Sequence, residues 1–393
     1  MEIKTIEGKD YSGKKVFLRV DFNVPLENGK IADETRIRAA LPTINYLLSQ
    51  NCILIIASHL GRPKGKVVPE MSLKVVAERL SELINKEVKF IPDCVGEVVE
   101  KEINQAKSGD VLLLENLRFH KEEEEGNENF AKQLASFADA YVNDAFGACH
   151  RKHASIYQIT NFIEDVASGF LIKKEVEALS KLLTNPEKPF LLILGGAKVA
   201  DKIGMVKNLL DKVDTIITGG VMAYTFIKAK HWEIGDSKVE DDAIPLAKEI
   251  IGEVNKRHLE FHTPLDHIIV NKISPDAETL ITERGTIPPG WIGVDIGPQA
   301  IEEYVDCINR ARTIFWNGPM GIFEIDKFAR GTIAIAKAVA EADAFSVIGG
   351  GDSVSAVNKG GVADKISHIS TGGGASLEFL EKGTLPGIEV LKK

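Results

Sequence analysis

Short apolar runs recur along the chain, rich in β-branched residues and separated by polar or glycine-rich stretches. They are Val16–Val20, Ile53–Ala57, Val111–Leu114, Ala140–Val142, Phe190–Leu194, Thr215–Ile217, Ile268–Val270, Thr313–Trp316 and Phe345–Ile348. Each is too short for a helix. Most lack polar alternation, which predicts strands buried on both faces in a parallel sheet. Amphipathic segments lie between them. Ser72–Asn85 places Leu73, Val76, Leu80, Leu83 and Ile84 on one stripe, and Thr332–Ala342 is alanine-rich with helical apolar spacing. Strand–helix alternation over the whole length predicts an α/β protein with doubly wound sheets. Lys173–Leu183 reads as a charged amphipathic helix, ended by Thr184-Asn185-Pro186 with Pro189 beyond. A solvated helix there suits a connector between two α/β units.

The residues that follow each strand change character halfway along. In the first half the exits are Asp21-Phe22-Asn23, Ser58-His59-Leu60-Gly61-Arg62-Pro63, Glu115-Asn116-Leu117-Arg118 and Asn143-Asp144. In the second half they become Gly195-Gly196-Ala197-Lys198, Gly219-Gly220, Asn317-Gly318-Pro319, Gly349-Gly350-Gly351-Asp352-Ser353 and Thr371-Gly372-Gly373-Gly374. Open α/β sheets bind ligands outside the carboxyl ends of their strands. Two sites of different chemistry follow: one of Arg, His, Asp and Asn side chains, the other of bare backbone with a few charges.

Composition sharpens this. A chain of 393 residues, 44% hydrophobic and 27% charged, is an ordinary globular protein of about two domains. Its formal net charge of −9 argues against nucleic acid and anionic membranes as partners. No window is long and apolar enough for a membrane span, and the first residues lack the apolar stretch of a signal peptide. The four cysteines, Cys52, Cys94, Cys149 and Cys307, lie far apart without metal-ligand spacing. A reduced, cytoplasmic, soluble protein is expected.

Against that acidic background Arg36, Arg62, Arg118 and Arg151 are conspicuous, each in a strand-exit or loop context. The guanidinium fork suits bidentate binding of phosphate or carboxylate. The four predict a pocket for a small, multiply charged anion, with independent surface ion pairs as the alternative. His59, His150 and His153 read as hydrogen-bonding partners of such an anion. The latter two could share a helix face, but no third metal ligand accompanies them. Cys149, beside His150 and Arg151, could carry a lowered pKa, although a packing role is the simpler expectation. The acidic run Lys121–Gly126 is expected to be solvated.

On the other side, Gly195–Lys202 follows a buried strand and opens a helix. There glycines admit a phosphate to the backbone and the helix N-terminus favours its charge. Lys198 and Lys202 are one turn apart and can reach the same ligand. Gly349–Ser353 repeats the arrangement with Asp352, a carboxylate able to hold Mg²⁺ against nucleotide phosphates. Asn317–Glu324 adds an acid able to bind ribose hydroxyls, and Thr371–Ser376 is a third glycine-rich helix start. Neither GxxxxGK[ST] nor GxGxxG occurs.

Arg19-Val20-Asp21-Phe22-Asn23-Val24-Pro25, Ser58–Pro63, Gly195–Lys202, Gly349–Ser353 and Ser370–Ser376, in this order and spacing, resemble the phosphoglycerate kinase family over essentially the whole chain. The resemblance implies reversible phosphoryl transfer between 1,3-bisphosphoglycerate and MgADP, giving 3-phosphoglycerate and ATP. It implies two doubly wound parallel-sheet (Rossmann-like) domains. These are a phosphoglycerate-binding domain over 1–172, a hinge helix over 173–188 and a nucleotide-binding domain over 189–372. The C-terminal segment from about 373 to 393 would return to the first. Asp21, Phe22, Asn23, Arg36, His59, Leu60, Gly61, Arg62, Arg118 and Arg151 would bind the phosphoglycerate. Lys202, Gly293, Glu324, Gly350, Gly351, Asp352 and Ser353 would bind the nucleotide, with Asp352 on Mg²⁺ and Arg36, Lys198 and Gly373 serving catalysis. The family also implies a monomer that closes by hinge bending. Ala148-Cys149 departs from the usual pattern, a hydroxyl residue followed by Ala, and leaves the surroundings of His150 open. The composition-level rivals are a nicotinamide dehydrogenase, which lacks its GxGxxG, and a non-catalytic phosphosugar-binding protein, which leaves Lys198, Lys202 and Asp352 unexplained.

Overall fold

The computed structural model describes residues 1–392, which divide into two compact units. Met1–Glu177 and the segment from Thr384 form the first, and Ala178–Gly383 the second. In this division the returning segment starts at Thr384. Helix Gly374–Lys382 packs instead on helix Val199–Leu209, within the second unit.

Each unit is built on a six-stranded, all-parallel sheet, as the unbroken apolar runs predict. In the first the order is Val88–Ile91, Val111–Leu114, Ile53–Ala57, Lys15–Arg19, Ala140–Asn143 and Asp165–Ser168. Val16, Leu18, Leu54, Ile56, Leu113 and Val142 pack with Ile37, Ile44, Val76 and Leu80 from the covering helices. Each fully buried Leu or Ile contributes about 1.5–3 kcal/mol. Helix Lys74–Ile84 ends where Asn85 turns left-handed (φ 50°).

In the second unit the order is Glu260–His262, Thr215–Thr218, Phe190–Leu194, Thr313–Asn317, Phe345–Gly349 and His368–Ile369. Ile193, Ile314, Trp316 and Ile348 meet Tyr304, Ile335 and Val339 in its core. One expectation is corrected here. The run at Ile268–Val270 is not a parallel core strand but part of His267–Val270, the middle of a three-stranded antiparallel sheet with Leu280–Ile281 and Ile292–Ile296. A three-residue apolar run carries no periodicity that separates the two cases.

Helix Phe170–Thr184 crosses the division between the units and ends at Thr184, one residue beyond the run expected from its pattern. Among the described residues no helix is long and apolar enough to cross a membrane.

Candidate active site

In both sheets the strand order reverses beside the first strand of the unit, and most of the candidate residues lie on the segments that follow the carboxyl ends there. In the first unit, Lys15–Arg19 delivers Asp21 and Asn23, and Ile53–Ala57 delivers His59 and Gly61. Asp21 is buried, and both its oxygens lie 2.9 Å from Nη1 of Arg36. It also accepts the Asn23 amide at 3.1 Å. Asn23 Oδ1 accepts the Gly61 N–H at 2.8 Å, and Arg118 Nη1 donates to the Gly61 carbonyl at 2.9 Å. Asn116 ties this loop down by accepting from Leu60 and Arg118 amides and donating to the Leu60 carbonyl. Ser58 Oγ receives the N–H of the buried Phe22. Asp21, Phe22, Asn23, Arg36, His59, Leu60, Gly61 and Arg118 are thereby held by one continuous network. Arg36 is the second residue of helix Thr35–Ser49, not a loop residue. Arg62 and Arg151 are exposed, without an ion pair among the described residues.

A deeper layer went unread as a site in the sequence. Arg19 is completely buried, its Nε donating to Ser155 Oγ at 2.8 Å and Nη1 to the Val20 carbonyl. Nη2 faces Nδ1 of His59 at 3.2 Å. Guanidinium only donates, so Nδ1 accepts and the proton of neutral His59 sits on Nε2, facing Asp21 at 3.9 Å. Burial, then the charges of Arg19, Arg118 and Arg36, push the His59 pKa well down and keep the ring neutral. Burial and the charges of Arg118, Arg19 and Arg151 push His153 to about 3. Arg19 and Arg118 thus act on both rings, Arg36 on His59 and Arg151 on His153. The counter-charge is Glu123, from the run expected to be solvated. It is fully buried, accepts Ser155 N and Oγ at 2.9 and 2.6 Å, and lies 3.8 Å from Arg19.

Two further expectations are corrected. His150 and His153 follow a single turn of 3₁₀ helix, Phe146–Ala148, and share no helix face. Cys149 has a raised pKa, not a lowered one: the thiol is fully buried, 3.6 Å from Asn143 Nδ2, and burial dominates. It packs, as the simpler reading held.

In the second unit the reversal falls between Phe190–Leu194 and Thr313–Asn317, and their exit loops interlock. Gly195 N–H donates to Asn317 O at 2.8 Å and Gly196 N–H to Pro319 O at 2.7 Å. A Cβ on Gly318 (φ 95°) would lie 2.1 Å from the Gly195 carbonyl oxygen, so only glycine permits this approach. Ser353 Oγ is buried and accepts the Gly318 N–H at 2.6 Å, fastening a third exit to the pair. Around this junction lies a cleft of about 280 Å³, lined by Gly196, Lys198, Lys202, Gly350–Ser353 and Gly373–Gly374 among others. Lys202 is buried, bonds the Gly195 carbonyl at 2.5 Å, and is lowered to about 8 by desolvation, against the pull of Asp352, Glu240 and Asp201. Lys198 is exposed and left-handed (φ 60°) at the start of its helix. Asp352 is exposed at the start of helix Gly351–Lys359, with no ion pair or hydrogen bond to its carboxylate among the described residues. Gly293 and Glu324 fall outside this lining. Gly293 is buried with its N–H on Ser237 Oγ at 2.9 Å, and Glu324 is exposed.

Comparison with known proteins agrees over the full length. The family model described as phosphoglycerate kinase matches residues 6–383. A phosphoglycerate kinase from a Clostridium botulinum type E strain is 53% identical over 390 residues, covering 99% of this chain and 98% of its own. One from a type A strain is 52% identical over the same shares. Phosphoglycerate kinase from Coxiella burnetii superposes with a TM-score of 0.90 at 39% identity, covering 99% of each chain. That from Pyrococcus horikoshii gives 0.86 at 35% identity, covering 99% of this chain and 98% of its own. The chain belongs to the phosphoglycerate kinase family, phosphotransferases with a carboxyl group as acceptor.

Proposed function

We propose that this chain transfers a phosphoryl group reversibly and in line between 1,3-bisphosphoglycerate and ADP, with the phosphoglycerate on the first unit and the nucleotide on the second. The observation that carries this assignment is the cleft at the Gly195–Gly318 junction. Its two lysines, the unpaired carboxylates of Asp201 and Asp352 and the glycine-lined backbone suit a polyphosphate with its counter-cation better than a sugar or a nicotinamide. The first unit's arginines and neutral His59 suit a small phosphorylated acid.

In the ATP-forming direction an ADP β-phosphate oxygen attacks the acyl phosphorus, the P–O bond to the acyl oxygen breaks, and 3-phosphoglycerate leaves as a carboxylate. In reverse that carboxylate is the nucleophile. It is already ionised at neutral pH and requires no general base, which suits a site rich in cations where Asp21 faces His59 only at 3.9 Å and is held by Arg36 instead. Positioning and charge stabilisation then do the chemistry. We assign these to Arg36, Lys198 and the amides around Gly373. Lys198 occupies a backbone conformation that non-glycine residues adopt at a cost, as functional residues often do. Lys202 and the amides of Gly350–Ser353 hold phosphates, while Arg62, Arg118 and Arg151 hold the acid. The unpaired Asp352 suits a hard divalent cation bound mainly by nucleotide phosphates and water, and Mg²⁺ there would offset phosphate charge. Gly293 and Glu324 are assigned to the nucleoside end. The reaction requires both ligands in one water-poor site, so we propose hinge closure that needs both substrates.

The deciding assay is ATP-dependent formation of an acyl phosphate from 3-phosphoglycerate, trapped as the hydroxamate. No hydroxamate above the nucleotide-free control refutes the activity. Small-angle scattering tests closure: the radius of gyration falls with both substrates and with neither alone, and no change refutes it.

A further inference from the structure

A second cluster of chemistry lies at the opposite edge of the second unit's sheet, on the strand farthest from His368–Ile369. Edge strand Glu260–His262 and helix Pro298–Arg310 place four side chains together. Glu260 and His262 are two apart on the strand and share a face, while Glu303 and Cys307 are four apart and share a face of the helix. The Cys307 sulfur, a His262 ring nitrogen and a Glu260 oxygen lie within 4.8 Å of one another. Tetrahedral zinc, with bonds of about 2.0–2.3 Å, sets ligand atoms about 3.3–3.8 Å apart, so about an ångström of side-chain contraction completes the triangle.

The His262 ring points the same way. Nδ1 lies 2.9 Å from Glu303 Oε1 and donates to it, whereas Nε2 is buried without a hydrogen-bond partner, 3.8 Å from Glu260 Oε2. A carboxylate behind one imidazole nitrogen, with the other facing a thiol and a second carboxylate, is the outer-shell arrangement that orients metal-binding histidines. A cleft of about 310 Å³ lined by Thr215, Glu260, Cys307 and Arg310 gives access. Arg310 Nη2 contacts Glu260 at 3.1 Å and Cys307 at 3.5 Å, but its side chain is 58% exposed and can swing into water.

We propose that Cys307 Sγ, His262 Nε2 and a Glu260 oxygen bind one zinc ion, with Glu303 orienting the imidazole and water in the fourth position. Ligation is an exchange of protons for metal: the Cys307 thiol proton, and the Nε2 proton when His262 is charged, leave to solvent. A thiolate and an imidazole select zinc over magnesium, so this site is separate in chemistry from the nucleotide's cation. The other thiol–imidazole–carboxylate group, Asp93, Cys94 and His120, is already closed on itself. Asp93 Oδ1 holds both His120 Nε2 and the Cys94 amide at 2.7 Å.

The test is equilibrium dialysis of the nucleotide-free full chain against Zn²⁺ with millimolar Mg²⁺ present, alongside the absorption spectrum with Co²⁺. We expect one zinc per chain and a thiolate-to-cobalt charge-transfer band. Cys307→Ser should abolish the band, and His262→Gln and Glu260→Gln should each weaken zinc binding about tenfold or more. Cys94→Ser should change nothing. Glu260 is exposed, so its variant keeps the test sound if substitution at buried Cys307 impairs folding. No zinc bound, binding unmoved by His262→Gln and Glu260→Gln, or a band lost in Cys94→Ser but kept in Cys307→Ser each overturns the proposal.

Discussion

Replacing Glu123 with alanine isolates the buried ion cluster beneath the first unit's site. Glu123 and Arg19 are both fully buried, and Ser155 bridges them by donating to Glu123 while accepting from Arg19 Nε. Two hydrogen bonds onto an ionised acceptor contribute about 1.5–3 kcal/mol each. Removing one member of a buried pair costs about 3–5 kcal/mol, because the remaining charge stays out of water. These overlap, since both describe the same desolvated groups, so the expected loss is about 3–5 kcal/mol and not their sum. Against a domain stability of about 5–15 kcal/mol this is a large fraction. Glu123→Gln keeps the shape and one acceptor and should fall between. Glu125→Ala, two residues on but exposed, should leave the midpoint unchanged. Urea unfolding by circular dichroism measures the loss. Tryptophan emission alone does not suffice, because Trp232, Trp291 and Trp316 all lie in the second unit. A Glu123→Ala loss below about 1 kcal/mol, or one matched by Glu125→Ala, would refute the reasoning.

Three further outcomes follow from the sites. Lys202 is lowered to about 8 by burial, and bound phosphate favours its charged form, so ADP affinity should fall as pH rises through 8 with proton uptake on binding. Calorimetry in buffers of different ionisation enthalpy reads that uptake, and a Lys202→Met variant that kept it would exclude Lys202 as its source. Arg36→Ala and Lys198→Ala should each cut turnover by orders of magnitude while ADP affinity stays within a few-fold; near-normal steady-state rates would end the proposed division of labour. Gly318→Ala combines a left-handed backbone with a 2.1 Å approach to the Gly195 carbonyl. It should lose about 2–4 kcal/mol in thermal unfolding, and a variant as stable as the parent would show that the interlocked loops move apart easily.

How far the sequence could be read depended on whether the determining interaction was local. Unbroken apolar runs carry their own burial, so the central strands and the α/β class were legible to within a residue or two. The edge strands Val88–Ile91, Asp165–Ser168, Glu260–His262 and His368–Ile369 were not, because each mixes polar residues into a short run, and Asp165–Ser168 is largely buried despite its Asp and Ser. Glycine-rich exits announce close backbone approach, but nothing in Gly195-Gly196 says that its partner is Gly318. The clearest failure and its signal lie together. Arg19 closes an apolar strand, and a cation there demands an acid, yet the pattern around Glu123 is that of a solvated run in which every glutamate looks alike. What singles Glu123 out is the direction of one side chain, set by the turn Lys121–Glu124 and by Ser155 arriving from a distant loop. Periodicity reports which face of an element is buried and a lone charge reports that a partner exists, but the partner's identity is a property of the assembled sheet.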